Sequence, residues 1–429
     1  MNKYDVIVIG GGPAGMIAAG TAGKFKKSVI LLERNNVLGV KLRITGNGRC
    51  NFTNKMPLNR FQDYYVDNPK FLHNAFNKFF NHDLIKFFEL LGVRTKVENN
   101  GRVFPLSDQS ADIIQALELY LQNNKVQVAC RSLVTDIIVE NNQVAGVKLS
   151  GEETVKAGKV IIATGGKSYP NLGSNGSAYS WALKTGHNII LPRPGLSGIQ
   201  IKELWVKGLQ GISLNQIGIS LYVNAKKKKQ ISADLVFAHY GISGPGAFDL
   251  SADVGDCLVK GSVVLCLDLF PEINESQVME KLDDIIAKSP GCMCKNLAFN
   301  EVPKKLIAVC HDLAGINASK PLSQLSKKEK RSLINIFKQV QLTVQSLRPL
   351  KEAMVTRGGI SVKQINPATM ESRIVSGLYF CGELIDISGL SGGFNLQAAF
   401  STGYLAGLGA AVEPKIEDRK PMDEGRSLR

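Results

Sequence analysis

The sequence predicts a discontinuous α/β fold in which a nucleotide-binding domain is interrupted by β structure, and that in turn by helices. Three observations carry this. The apolar run Tyr4–Ile9 leads straight into Gly10-Gly11-Gly12-Pro13-Ala14-Gly15. From about 190 to 345 the texture changes, first to short alternating runs and then to helical spacing. After 350 a buried strand and a small-residue helix return.

The opening unit is Rossmann-like. Gly10 permits a tight turn out of the strand, Gly12 lets the backbone approach a pyrophosphate, and Gly15 lets the next helix pack closely on the sheet. The N–H groups and dipole of a helix starting near Pro13 and Ala14 then face the phosphates. Glu33 closes the next apolar run, Ser28–Leu32, where an acid accepts hydrogen bonds from a ribose diol.

Between 55 and 125, Phe71–Phe80, Asp83–Leu91 and Asp108–Gln122 carry helical spacing, with room for short strands in Gly92–Phe104. Val126–Ala129, Leu133–Glu140, Gln143–Lys148 and Glu153–Lys156 read as short β segments forming a meander. Val160–Ala163 is an all-apolar strand of the buried parallel type. Ile199–Ile201, Ile217–Val223, Leu235–Phe237 and Val263–Leu269, separated by Gly and Pro, predict an inserted β-barrel or sandwich. Ser276–Ile286, Pro303–Leu313 and Lys327–Val344 read as helices, Leu378–Cys381 as a strand and Asn395–Ala410 as a helix. Glu413–Arg429 is polar and reads as a loose tail. The expected domains are 1–190 with 350–429 (nucleotide-binding), 191–275 with 336–349 (inserted β) and 276–335 (a small helical domain).

Composition bounds the function. At 429 residues, 44% hydrophobic and 21% charged, the chain is a globular protein of more than one domain. The strand beginning almost at the first Met leaves no room for a signal peptide, and no apolar run approaches a membrane span. A cytoplasmic location is expected. The eight cysteines are scattered, which argues against a disulfide framework. Cys292-Met293-Cys294, with only His311 nearby, falls short of a zinc site, and no metal is expected. The net charge of +15 raises nucleic acid as a partner. Its densest run, Lys226–Lys229, sits between two strand-like segments and reads as a solvated hairpin tip.

Three further glycine-rich segments lie far apart. In Gly39–Asn51, the glycines allow close approach while Lys41, Arg43 and Arg49 supply charge for a diphosphate. Ala163-Thr164-Gly165-Gly166 ends a strand in the manner of two-part flavin domains. In Cys381–Ala399, Asp386 follows a strand, placed to bond a ribityl or ribose hydroxyl. Gly392-Gly393 opens a helix whose amides would face the flavin N1–C2=O edge.

Those segments, with Thr45–Asn54, His239-Tyr240-Gly241-Ile242-Ser243-Gly244-Pro245 and Thr356-Arg357-Gly358-Gly359-Ile360, occur in an order that resembles the bacterial NAD(P)/FAD-dependent oxidoreductases of the BaiN/YhiN type. The resemblance spans residue 4 to about 410. It implies non-covalently bound FAD, held first by Gly10, Gly12, Pro13, Ala14, Gly15, Glu33 and Arg34. Lys41, Gly48, Arg49, Cys50, Asn51 and Val134 follow, then Ala163, Thr164, Gly165 and Gly166. The last group is Gly382, Glu383, Asp386, Gly393, Phe394, Asn395, Leu396 and Gln397.

The expected activity is reduction of an electron-poor C=C bond of a small organic substrate by hydride from flavin N5, fed by NAD(P)H. Tyr240 or His239 would supply the proton, and Arg357 would bind a carboxylate or enolate oxygen. No second Gly-x-Gly-x-x-Gly unit follows a strand, so the nicotinamide would bind transiently. Two alternatives stay open: an amine or amino-ketone oxidase using O2, and an RNA-associated flavoprotein motivated by the charge. A small molecule is the expected partner, ahead of nucleic acid, and the sequence leaves the oligomeric state open.

Overall fold

The computed structural model describes residues 3–412, so the expected tail Glu413–Arg429 lies outside the described residues. The chain divides into two compact units. One runs up to Pro192 and resumes at Thr356, and the other spans Arg193–Val355.

The first unit is built on a seven-stranded sheet. Gln127–Ala129, Val29–Leu32, Lys3–Ile9, Thr154–Ile162 and Leu378–Phe380 lie parallel in that order. Val134–Glu140 and Gln143–Leu149 add antiparallel strands beside Thr154–Ile162. The two segments expected at Glu153–Lys156 and Val160–Ala163 are one continuous strand. Lys3–Ile9 pairs along it from Lys156 to Ile162, and that ladder carries the chain through Gly158 without a break.

The helix Pro13–Lys24 packs against the last helix, Phe394–Ala411, and both are buried almost all round. A methyl group on Gly403 would overlap the Ala14 carbonyl, and one on Gly407 the Ala18 carbonyl. The small residues therefore let two backbones touch, and any larger side chain there would force the helices apart. In a satellite aromatic core, Phe61 packs against Phe76, Phe80 and Phe394, and the Phe394 ring also meets Tyr65 and stacks on Tyr64 at 4.5 Å. Such pairs each contribute about 0.5–1.5 kcal/mol beyond burial.

The second unit holds a closed barrel. Ile199–Ile201, Gly241–Ser243, Lys226–Ala238, Ser213–Val223, Val263–Asp268 and Val340–Leu347 pair in that order, and Val340–Leu347 returns to Ile199–Ile201. Between Val263–Asp268 and Val340–Leu347 the chain makes the helices Glu275–Lys288, Lys304–Leu313 and Lys327–Lys338. The expected end of the last at Val344 is overruled, because Val340, Leu342 and Val344 alternate inward as a barrel strand. The helix Gly244–Leu258 was not expected. Pro245 fits its first turn, and Ala247, Leu250, Ser251 and Val254 bury one helical face. Lys226–Lys229 are not the hairpin tip either. The turn is Asn224-Ala225, both at positive φ, and the lysines begin the strand that follows. Lys229 pairs with Asp253 at 2.7 Å.

No described helix is long and apolar enough to cross a membrane, and the eight cysteines are free. Two histidines are buried. His187 bonds Thr185 and Ser372, whereas neither ring nitrogen of His311 has a partner among the described residues. Burial lowers the pKa of both, so below about pH 6.5 the unfolded chain takes up protons that the folded chain resists. Stability is accordingly full above that pH and falls as the pH drops, by at most about 1.4 kcal/mol per unit per histidine. His311→Phe is expected to flatten denaturant-derived stability against pH between roughly 6.5 and 5. An unchanged slope would mean that His311 titrates alike in both states.

Candidate functional site

The first glycine turn shows a division of labour. Gly10 has φ +106, and its missing Cβ would lie 2.6 Å from the Ala163 carbonyl oxygen. A Cβ on Gly15 would overlap the Gly10 carbonyl oxygen. At Gly12 nothing lies within 4 Å, so this face of the helix start is open. Glu33, 7% exposed, accepts from Gly11 N at 2.6 Å and Asn35 N at 2.8 Å. It braces the turn, and each carboxylate oxygen retains further acceptor capacity.

The later segments converge on this turn. Gly382, at φ +73, would meet Ala14 Cβ at 2.8 Å if it carried a methyl. Thr164 Cα lies 3.1 Å from the Cβ position of Gly10, and Thr164 Oγ1 is buried with no partner among the described residues. Gly393, at φ +97, lies against the Thr53 backbone at the start of the last helix.

A polar hub ties four segments together. Lys41 Nζ donates to Glu383 Oε2 at 2.8 Å and to Ser168 Oγ at 2.6 Å. Ser168 Oγ donates to Glu383 Oε1 at 3.0 Å, and Thr356 N donates to the same oxygen at 2.7 Å. Thr356 Oγ1 accepts from the amides of Lys167 and Ser168. Gly166 passes within 3.0 Å of Glu383 Oε1 at its Cβ position, so a side chain there would collide with the hub.

Several residues expected on the cofactor also have protein partners. Arg49 pairs with Glu98 and, at 2.7 Å, with Asp108, its guanidinium 4.2 Å over the Phe104 ring. A lysine at 96 completes that four-charge surface network, which supplies the neutralisation a diphosphate would otherwise offer. Asn51 donates to the carbonyls of Thr53 and Val103. Cys50 is fully buried, and its thiol is pushed up to about 12 by burial. Gln397 accepts from Thr53 Oγ1 and donates to Ser401. Asn395 clamps Gly389 through both amide atoms, and Phe394 fills the aromatic core. Asp386 accepts from Asn68 Nδ2 at 2.8 Å. Val134 is buried in the antiparallel part of the sheet, opposite Leu149. Arg34 is exposed beside Gly173, and Gly48 and Leu396 are partly exposed.

Arg357, 6% exposed, directs Nε at 2.7 Å and Nη2 at 3.0 Å to Asp67, which also accepts from Ser388. A buried guanidinium needs such a counter-charge. His239 and Tyr240 belong to the second unit. His239 is exposed, and the Tyr240 ring carries the Arg348 guanidinium at 4.6 Å. Sequence reasoning missed Asp67, Asn68 and Ser168. The first two follow no motif, and Ser168 lies just past the Ala163–Gly166 turn.

The residues present fit FAD. The open helix start at Gly12, the unpartnered buried hydroxyl of Thr164 beside the Gly10 turn, and the positive-φ pair Gly392-Gly393 opening the last helix are each features that a bound dinucleotide would use.

Comparison with known proteins agrees with that geometry. The family described as HI0933-like protein Rossmann domain matches residues 4–409. The chain is 32% identical to 3-dehydro-bile acid delta(4,6)-reductase of Clostridium scindens, over 96% of this chain and 100% of that protein. It is 30% identical to the ribosomal RNA dihydrouridine synthase of Haemophilus influenzae, over 95% and 99% of the two. Among solved structures, 3-ketosteroid delta1-dehydrogenase from Sterolibacterium denitrificans shares the fold, with TM-score 0.54 at 12% identity, covering 96% of this chain and 100% of that one.

Proposed function

The chain belongs to the HI0933-like family of Rossmann-domain flavoproteins and is an FAD-dependent oxidoreductase; from that premise we propose that it reduces a carbon–carbon double bond conjugated to a carbonyl. The observation that carries this is the bond type shared by the two relatives. One is named for the delta(4,6) bonds of a 3-dehydro bile acid. The other is named for dihydrouridine, which is uridine with its C5=C6 bond, conjugated to the C4 carbonyl, reduced.

FAD, when bound, supplies the hydride for the β carbon, taken in this reading from NADH or NADPH. Gly12 and the first turn of Pro13–Lys24 would receive its diphosphate, and Glu33 its ribose. Lys41, through Glu383 and Ser168, would hold the segments that enclose it. The proton for the α carbon is assigned to Tyr240 or His239, the two acid–base side chains of the His239–Pro245 motif. Arg357 is retained as a positioning charge, since Asp67 already occupies two of its nitrogens.

The acceptor we favour is a small enone, such as a 3-oxo steroid with a double bond at C4. Anaerobic mixing of the yellow protein with NADH and then NADPH is expected to bleach the flavin band, and addition of the enone to restore it. Fast reoxidation by air with peroxide, and no bleaching by either nicotinamide, would instead identify an amine oxidase. A second reading has its own support. The net charge of +15 and the ribosomal RNA relative both favour a uracil in RNA as acceptor. That reading predicts RNA binding that weakens steeply with salt, and dihydrouridine appearing in an unmodified ribosomal RNA transcript. Absence of both would remove it.

A further inference from the structure

Tyr179 lies on the helix Ser177–Lys184, which follows the Ala163–Gly166 turn. Its side chain is 7% exposed and its ring packs in a core with Trp181, Phe380 and Leu384. Its hydroxyl has no hydrogen-bond partner among the described residues, a condition shared with Thr164 Oγ1. A buried hydroxyl left unpaired loses its water without replacement, so two of them along one stretch of chain call for an explanation.

The surroundings narrow it. Burial raises the phenol pKa, and the charges of Glu383 and Asp386 raise it further, so the group is a neutral donor at ordinary pH. Those carboxylates are the natural acceptors, yet they are otherwise engaged. Glu383 takes Lys41, Ser168 and the Thr356 amide, and Asp386 takes Asn68. The proton of Tyr179 is therefore left without an acceptor among the described residues, close enough to Glu383 and Asp386 to feel their charge. The segment between Thr164 and Tyr179 is tightly folded on itself. Gly165 turns at φ +74 against Ser174, and the Cβ position of Gly176 lies 3.1 Å from the Tyr179 ring. Thr164 itself abuts the Gly10 turn.

We propose that the hydroxyls of Tyr179 and Thr164 are completed by bound FAD, Tyr179 donating its proton to an acceptor atom of the cofactor. Tyr179 is then a cofactor-holding residue that no glycine motif marks. The inference rests on the FAD reading above.

Its signature is a split between the FAD-free and FAD-bound protein. Tyr179→Phe keeps the ring and removes only the unpaired hydroxyl. In protein stripped of FAD, its Tm is expected at or above that of the wild type. In an FAD titration followed by flavin fluorescence, its Kd is expected to rise about 10-fold. Thr164→Val should behave in the same direction. A Phe variant that binds FAD as tightly as wild type would overturn the proposal, and so would one that loses Tm without FAD. A wild-type chain that takes up no FAD in the same titration would overturn the flavin reading and the proposal together.

Discussion

Replacing Gly12 with valine is expected to leave the FAD-free protein as stable as wild type and to weaken FAD binding on the order of 100-fold. Two facts at one residue support this. Its φ of −81 is open to any L-residue, and no heavy atom lies within 4 Å of its Cβ position. The fold therefore has no use for the missing side chain. The space matters only if a pyrophosphate fills it, at a helix start where amides point outward without intrahelical partners. Gly15→Ala should behave in the opposite way. Its methyl would overlap the Gly10 carbonyl, so the strand and helix must separate. A loss of about 3 kcal/mol or more in the FAD-free protein is expected, despite alanine's better helix propensity. Thermal unfolding of both stripped variants, with an FAD titration of each, makes the comparison. Normal FAD affinity in the Gly12 variant would remove the phosphate assignment.

Glu383→Ala is expected to cost about 2–4 kcal/mol and to lose FAD on purification. The carboxylate is the common acceptor for Lys41, Ser168 and the Thr356 amide, and its removal strands an ammonium that is only about one-fifth exposed. The exposure lets water reach the pair, which keeps the figure below that of a fully buried ion pair. Glu383→Gln retains an oxygen for Ser168 and Thr356 but no charge for Lys41, and about half the loss is expected. In a double-mutant cycle with Lys41→Met, a coupling of about 1 kcal/mol or more should appear. Additive effects would mean that the 2.8 Å pair carries no energy.

Much of the architecture was legible in the sequence because its causes are local. The glycines at 10, 12 and 15 could be given separate roles from the turn alone, and the structure packs Gly10 and Gly15 against backbone while leaving the Gly12 side open. Alternation in Ile217–Val223 and Val263–Leu269 marked barrel strands correctly, since a two-residue period follows from the backbone itself. The helix Gly244–Leu258 was missed although Ala247, Leu250 and Val254 carry its period, because the surrounding strands and glycines suggested more β structure. Lys327–Val344 was read as one helix past its end, where only barrel pairing distinguishes Val340–Leu347 from a continuing apolar face.

The assignment of charges was a different matter. Lys41 and Arg49 sit eight residues apart in one basic, glycine-rich loop, and nothing local separates their roles. The fold gave Lys41 to Glu383, 342 residues away, and Arg49 to Glu98 and Asp108. Gln397 likewise went to Thr53 across 344 residues, and Arg357 to Asp67 across 290. Turn geometry and strand period depend on a few neighbouring dihedrals, so the sequence by itself determined the nucleotide-binding framework. Which buried polar group meets which is decided by chain segments brought together from opposite ends, and that pairing exists only in the tertiary structure.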